Sequence, residues 1–204
     1  MPLTISRSHR VSNYPVNNGV NGNLKIKENI QKKLTELQEY ACNKHCKVMA
    51  VRFDIHYPQD YFASGDNKDI SRTMAKMIQE YRRDGLDPYY MWCREQESSH
   101  NPHYHCVLFL NGSKTRTYNH VFNKATKHWE ATIGANADGC IYHCTGKENG
   151  MLIVTKRDGS RDKFHDNFNI VHFINSYLAK ESGKGERNDG LRDFGMSRLP
   201  KMPK

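Results

Sequence analysis

The stretch Met91–Leu110, MWCREQESSHNPHYHCVLFL, limits what this chain can become more than any other. A polar run, Ser98-Ser99-His100-Asn101-Pro102, separates two segments of strand character, so the segment predicts a β-hairpin. In its second arm His103 and His105 stand two residues apart and therefore on one face. Tyr104, Cys106, Leu108 and Leu110 take the other face, which reads as core. With a five-residue loop, Glu95 is expected opposite His105 and Glu97 opposite His103. Cross-strand neighbours hold their Cβ atoms about 4.5–5.5 Å apart. Two imidazoles and one or two carboxylates would then converge, which is a donor set for a divalent ion with open positions. The plain alternative is two surface histidines beside solvated acids.

A hairpin needs partners to bury its apolar face. KVMAVRFDIHY (47–57) alternates, with Met49, Val51, Phe53, Ile55 and Tyr57 on one side and Arg52, Asp54 and His56 on the other, and it ends at Pro58. Gly139–Thr145 and Met151–Thr155 predict two further short strands around a Lys147-Glu148-Asn149-Gly150 turn, and Asp158-Gly159 a turn beyond them. Helical spacing marks 24–45 (Ile30, Leu34, Leu37, Ala41), 70–84 (Ile70, Met74, Met77, Ile78, Tyr81), a segment from Tyr118 to a stop at Gly134, and 169–181 (Ile170, Phe173, Ile174, Tyr177). The order predicts an α+β fold: a central, largely antiparallel sheet of about five strands with helices packed on it and an open face carrying the histidines. Residues 1–23, rich in Asn, Ser and Gly, and 182–204, rich in Gly, Pro and basic residues, are expected as flexible basic flanks of a domain spanning 24–181.

The 204 residues suit one domain. The net charge of +9 favours a polyanionic partner, most simply nucleic acid. No apolar run reaches the length of a membrane span, and the first residues carry no signal-peptide core. Six cysteines scattered through such a length fit reduced thiols, and so a cytoplasmic setting, better than a disulfide framework. Cys42, His45, Cys46 and Cys140, His143, Cys144 invite a zinc reading, but their spacing and unlike contexts speak against it.

Three segments share an order: IHYPQD (55–60), Pro102-His103-Tyr104-His105 within the hairpin, and Tyr177-Leu178-Ala179-Lys180 on the last helix. This order resembles the HUH endonucleases, specifically the single-tyrosine rolling-circle replication initiators of geminiviruses and circoviruses. Their first motif is an apolar strand ending in a Thr-Tyr-Pro-like step, their second is His-hydrophobic-His, and their third is Tyr-x-x-Lys. Here His56 stands where the first motif often has Thr. The body of the chain also looks like prophage-encoded proteins of the YagK/YfjJ C-terminal-domain type, related to inovirus replication proteins.

The resemblance implies an RRM/ferredoxin-like HUH domain and a metal held by His103, His105 and Glu95, the last favoured over Glu97 by its position eight residues before the first histidine. It further implies Mg²⁺ or Mn²⁺ as the ion, Tyr177 as nucleophile and Lys180 as its helper. The activity implied is nicking of single-stranded or hairpin origin DNA. A 5′-phosphotyrosine and a free 3′-OH result, and strands are rejoined at termination. No G-x-x-x-x-G-K-[ST] loop occurs, so a host helicase and DNA polymerase are the expected partners, in a bacterial cytoplasm. Arg7, Arg10, Arg52, His56, Lys114 and Arg116 are the candidate DNA contacts. A non-catalytic single-strand-binding module, a relaxase and a single-tyrosine transposase are the competing readings.

Overall fold

The structure is a computed structural model and describes residues 5–96, 99–115, 117–144, 151–155, 161–184 and 190–200, with backbone alone for 151–155, 161 and 162. Glu97, Arg116, the 147–150 turn and Asp158-Gly159 lie outside the described residues.

Three short pairs of residues open the chain: β1 (Ile5–Ser6), β2 (Arg10–Val11) and β3 (Tyr14–Pro15), with β4 (Ile26–Lys27) pairing back onto β1. Helix α1 (Glu28–Lys44), β5 (Lys47–Ile55), α2 (Lys68–Arg83), the hairpin strands β6 (Tyr89–Glu95) and β7 (His103–Asn111), and α3 (Asn119–Ile133) follow. Then come β8 (Ile141–His143), β9 (Met151–Thr155), α4 (Arg161–Asn175), a 3₁₀ turn (Ser176–Ala179) and β10 (Phe194–Met196).

The main sheet has the order β10-β6-β7-β5-β8, with β9 also on the β5 edge, and every pairing is antiparallel. The α+β expectation holds. The sixth strand comes from the segment expected to be a tail. Gly195 sits so close to the Trp92 indole that a Cβ there would lie 2.5 Å from the ring, which is why β10 can lie against β6 at that point.

Alternation along the strands splits the core in two. Met49, Val51, Phe53, Ile55, Tyr104, Cys106, Leu108 and Leu110 pack beneath α2 and α3 with Met74, Met77, Tyr81, Val121, Ala125 and Trp129. On the other face Val48, Ala50, Met91, Cys93, Val107 and Phe109 meet α1 and α4 through Ile30, Leu34, Leu37, Phe168 and Val171. Helices thus pack on both faces of the sheet, α1 and α4 on the apolar half of the second, because each carries an apolar stripe that needs a cover. The expected flexible flanks also supply core: Val11 and Val16 are buried on the α1 side, and Lys184 is fully buried.

Three strands change character at one level of that second face. Ala50 gives way to Arg52 and Asp54 along β5, Cys93 to Glu95 along β6, and Val107 to His105 and His103 toward the start of β7. The polar ends lie side by side beyond the apolar half that α1 and α4 cover.

Candidate metal centre

The hairpin register differs from expectation by two residues. Glu95 pairs with His103, and His105 pairs with Cys93. The loop therefore runs from Gln96 to Pro102. Gln96 Nε2 donates to the carbonyls of Ser99 and His100 at 3.3 and 3.0 Å, and Asn101 Nδ2 donates to the carbonyl of Tyr61, so polar side chains close the wider turn.

Glu95 still reaches both imidazoles. Its Oε2 is 3.5 Å from His103 Nε2 and 3.0 Å from His105 Nε2, the second contact running diagonally across the pair. These three residues form a group whose ligand atoms all lie within 4.8 Å of one another. His105 Nε2 is not counted as hydrogen-bonded to Glu95 despite that short distance. Convergence without such a bond is what a shared cation between the donors would resolve. Two imidazole nitrogens and one carboxylate oxygen can thus hold a metal ion.

Behind the ligands stands Asp54, opposite His105 in the β5–β7 register, with its Oδ1 2.7 Å from His105 Nδ1. A carboxylate at Nδ1 leaves Nε2 free to face the cluster. Burial pushes the Asp54 carboxyl up, but His105 and Arg52 outweigh it and hold it below its ordinary value. Burial likewise raises Glu95, and His103, His105 and Lys184 more than reverse that, so its carboxylate stays ionised.

Tyr177 and Lys180 arrive from the far end of α4, which stops at Asn175, earlier than the expected end at 181. The first three residues of the motif lie in the 3₁₀ turn and Lys180 caps it, its amide donating to the Tyr177 carbonyl, so the two sit three apart where side chains eclipse. Ser176 Oγ bonds back to the carbonyl of Phe173 at 2.6 Å and also accepts from the amide of Asn17 at 2.7 Å. Eclipsing stacks Lys180 on Tyr177: its Nζ donates to the phenolic oxygen at 2.6 Å and lies 3.0 Å from Glu95 Oε2. Although burial lowers Lys180, Tyr177 and Glu95 raise it further, so it remains an ammonium. Arg52 covers the Tyr177 ring at 4.5 Å, and the His105 ring meets it edge-on at 5.4 Å.

His56 stacks on His103 at 4.8 Å, and burial followed by the neighbouring His103 drives its imidazole down to about 4, so it is neutral near pH 7. Arg52 and His56 are therefore at the cluster. Lys114 is not: it follows the opposite end of β7, which lies about 20 Å along the strand from His105. Arg7 and Arg10 belong to the N-terminal segment, where Arg10 donates to the carbonyl of Asn13 and Arg7 offers its own carbonyl to Asn18. The cysteine pairs of the zinc reading form no such group among the described residues.

Two members of the site escape the sequence reading. Asp54 is discoverable, since pairing β5 with β7 puts it opposite His105. Lys184 has no local signal, because it lies 89 residues beyond Glu95 in a stretch of tail-like composition.

The family described as the YagK/YfjJ C-terminal domain matches residues 16–197, a span that takes in the whole cluster and runs on through β10. No curated protein and no solved structure matches the chain.

Proposed function

The chain belongs to the YagK/YfjJ C-terminal domain family, and from that premise and the cluster above we propose that it is a rolling-circle replication initiator, nicking and rejoining single-stranded origin DNA. One observation carries the reading: a single ammonium, Lys180, touches both the Tyr177 hydroxyl and the Glu95 oxygen that faces the two histidines. A nucleophile and a metal ligand set therefore share one site.

In this reading Tyr177 Oη attacks a phosphodiester phosphorus, the P–O3′ bond breaks, and a 5′-phosphotyrosine and a 3′-OH result. The phenolic proton leaves to water and the departing 3′ oxygen takes one. Because Lys180 stays charged, its part is to hold the phenolic oxygen by its hydrogen bond and offset charge on the phosphate rather than to act as base. Arg52 over the Tyr177 ring limits its rotation and offers a second cation to the phosphate. His103, His105 and Glu95 would hold Mg²⁺ or Mn²⁺, whose chemistry is polarisation of the phosphate and stabilisation of the leaving oxygen. Joining is the same exchange run backward, with a 3′-OH as nucleophile. The partners in this reading are origin DNA, single-stranded or extruded as a hairpin, with a host helicase and DNA polymerase extending the 3′ end.

The test uses end-labelled single strands with Mn²⁺. The natural protein should give a DNA–protein band that survives denaturation, and Tyr177→Phe should give none while still binding the strand. An adduct that persists in Tyr177→Phe would overturn the assignment. Salt-sensitive binding by both proteins with no adduct from either would favour the non-catalytic module.

A further inference from the structure

Lys184 is fully buried, and a buried ammonium is costly unless it is paired. Its Nζ lies 2.5 Å from Glu95 Oε1. The other oxygen, Oε2, is the one that faces His103, His105 and Lys180. The carboxylate is thus divided: one oxygen tied to the back wall, one left for the cluster.

The wall is firmly built. The Lys184 amide donates to the carbonyl of Glu181 at 3.0 Å and the Gln96 amide donates to the carbonyl of Gly183 at 2.8 Å, so the segment is stitched to the residue following β6. The Lys184 carbonyl accepts from Lys27 Nζ at 2.7 Å, and the same ammonium pairs with Asp193 at 2.9 Å. Asp193 in turn offers its carbonyl to the amide of Arg94, next to Glu95 in the strand. Lys184 has little freedom, and neither has the oxygen it holds.

We propose that Lys184 is a positioning residue of the metal centre. By holding Oε1 it keeps Oε2 turned toward His103 and His105, where it would serve a bound ion. This inference rests on the metal reading of the cluster. It adds that the segment after the Tyr177 turn, on the composition of a tail, is a working part of the site.

Mn²⁺ alone is the probe, titrated into the full chain and followed by the loss of its free-ion paramagnetic resonance signal. Lys184→Met keeps the length and removes the donor. The expected result is a weakening of Mn²⁺ binding by tenfold or more, the range over which residues behind a ligand act. Lys184→Gln is the second variant: its amide is one bond shorter than the ammonium and uncharged but still donates, and it should bring the affinity part of the way back toward that of the natural protein. It also serves if the Met variant does not fold, since a Gln variant that folds should still bind Mn²⁺ less tightly than the natural chain. Unchanged or tighter binding in the folded variants would overturn the proposal, because Lys184 would then be a passive counter-charge or a competitor of the ion. Failure of the natural protein to bind Mn²⁺, or binding indifferent to His103→Ala, would instead bring down the metal reading itself.

Discussion

Glu95 has four nitrogen partners within 3.5 Å: His103, His105, Lys180 and Lys184. No other described carboxylate is so surrounded. A buried acid with this many partners has two uses, as an anchor for the chain or as a ligand for a cation, and the group that Glu95 forms with His103 and His105 is one that could hold an ion. Asp54 sharpens this at the scale of one atom. If it holds His105 with Nε2 toward the cluster, then Asp54→Asn should weaken Mn²⁺ binding by about tenfold, since partners of metal-bound histidines act over that range. A Mn²⁺ titration that gives the same midpoint for both proteins would show that Asp54 has no part in orienting the imidazole. The His-x-His pair, the eight-residue step back to Glu95 and the Tyr-x-x-Lys motif were legible in the sequence because each is a local pattern. Asp54 read only as a polar-face residue of its strand and Lys184 carried no signal, because the role of one needed the β5–β7 register and that of the other a long-range contact.

Elements move the residues into place. The hairpin predicted from 91–110 forms, but its wider loop shifts the partner of Glu95 from His105 to His103. The cluster survives this shift because a diagonal neighbour in an antiparallel pair remains within reach of long side chains. The last helix ends early, and the 3₁₀ turn that replaces its final residues is what eclipses Tyr177 and Lys180. On the far edge of the sheet, β10 depends on Gly195 lying against Trp92. A methyl group there has no room, so Gly195→Ala should cost about 1–3 kcal/mol, typical of overpacking. The measurement is chemical denaturation, together with amide exchange along β6. Faster exchange at Arg94, whose amide bonds to Asp193, is expected; an unchanged midpoint and unchanged exchange would mean that β10 adds little.

At the scale of the whole molecule, His172 ties the N-terminal segment to the α1–α4 layer. Its Nδ1 donates to the carbonyl of Pro15 at 2.9 Å, while Nε2 lies 2.9 Å from Gln31 Nε2 and 2.9 Å from Thr35 Oγ1. Thr35 already spends its proton on the Gln31 carbonyl, so Nε2 must accept from the Gln31 amide. A proton on Nε2 would face that donor, and burial lowers the imidazole to about 4. The folded chain therefore refuses a proton that the unfolded chain takes near 6.5. The stability this neutral histidine permits is intact above about 6.5 and is lost as pH falls toward 4, by roughly 3 kcal/mol for this group. His172→Gln should be less stable near pH 7 and flatter with pH between 7 and 4, read from denaturation midpoints; parallel profiles would assign the acid sensitivity to other groups. No helix among the described residues is long and apolar enough to cross a membrane. The sequence by itself determined the antiparallel hairpin, the four helical segments and the residues of the His-x-His and Tyr-x-x-Lys patterns that meet at the cluster, because alternation, helical spacing and short motifs are properties of neighbouring residues. Only the tertiary structure decided that helices pack on both faces of the sheet, that the flanks belong to the core, and that Glu95 is gripped from behind by Lys184. Those outcomes depend on which apolar stripes find each other across long stretches of chain, and no local pattern records that choice.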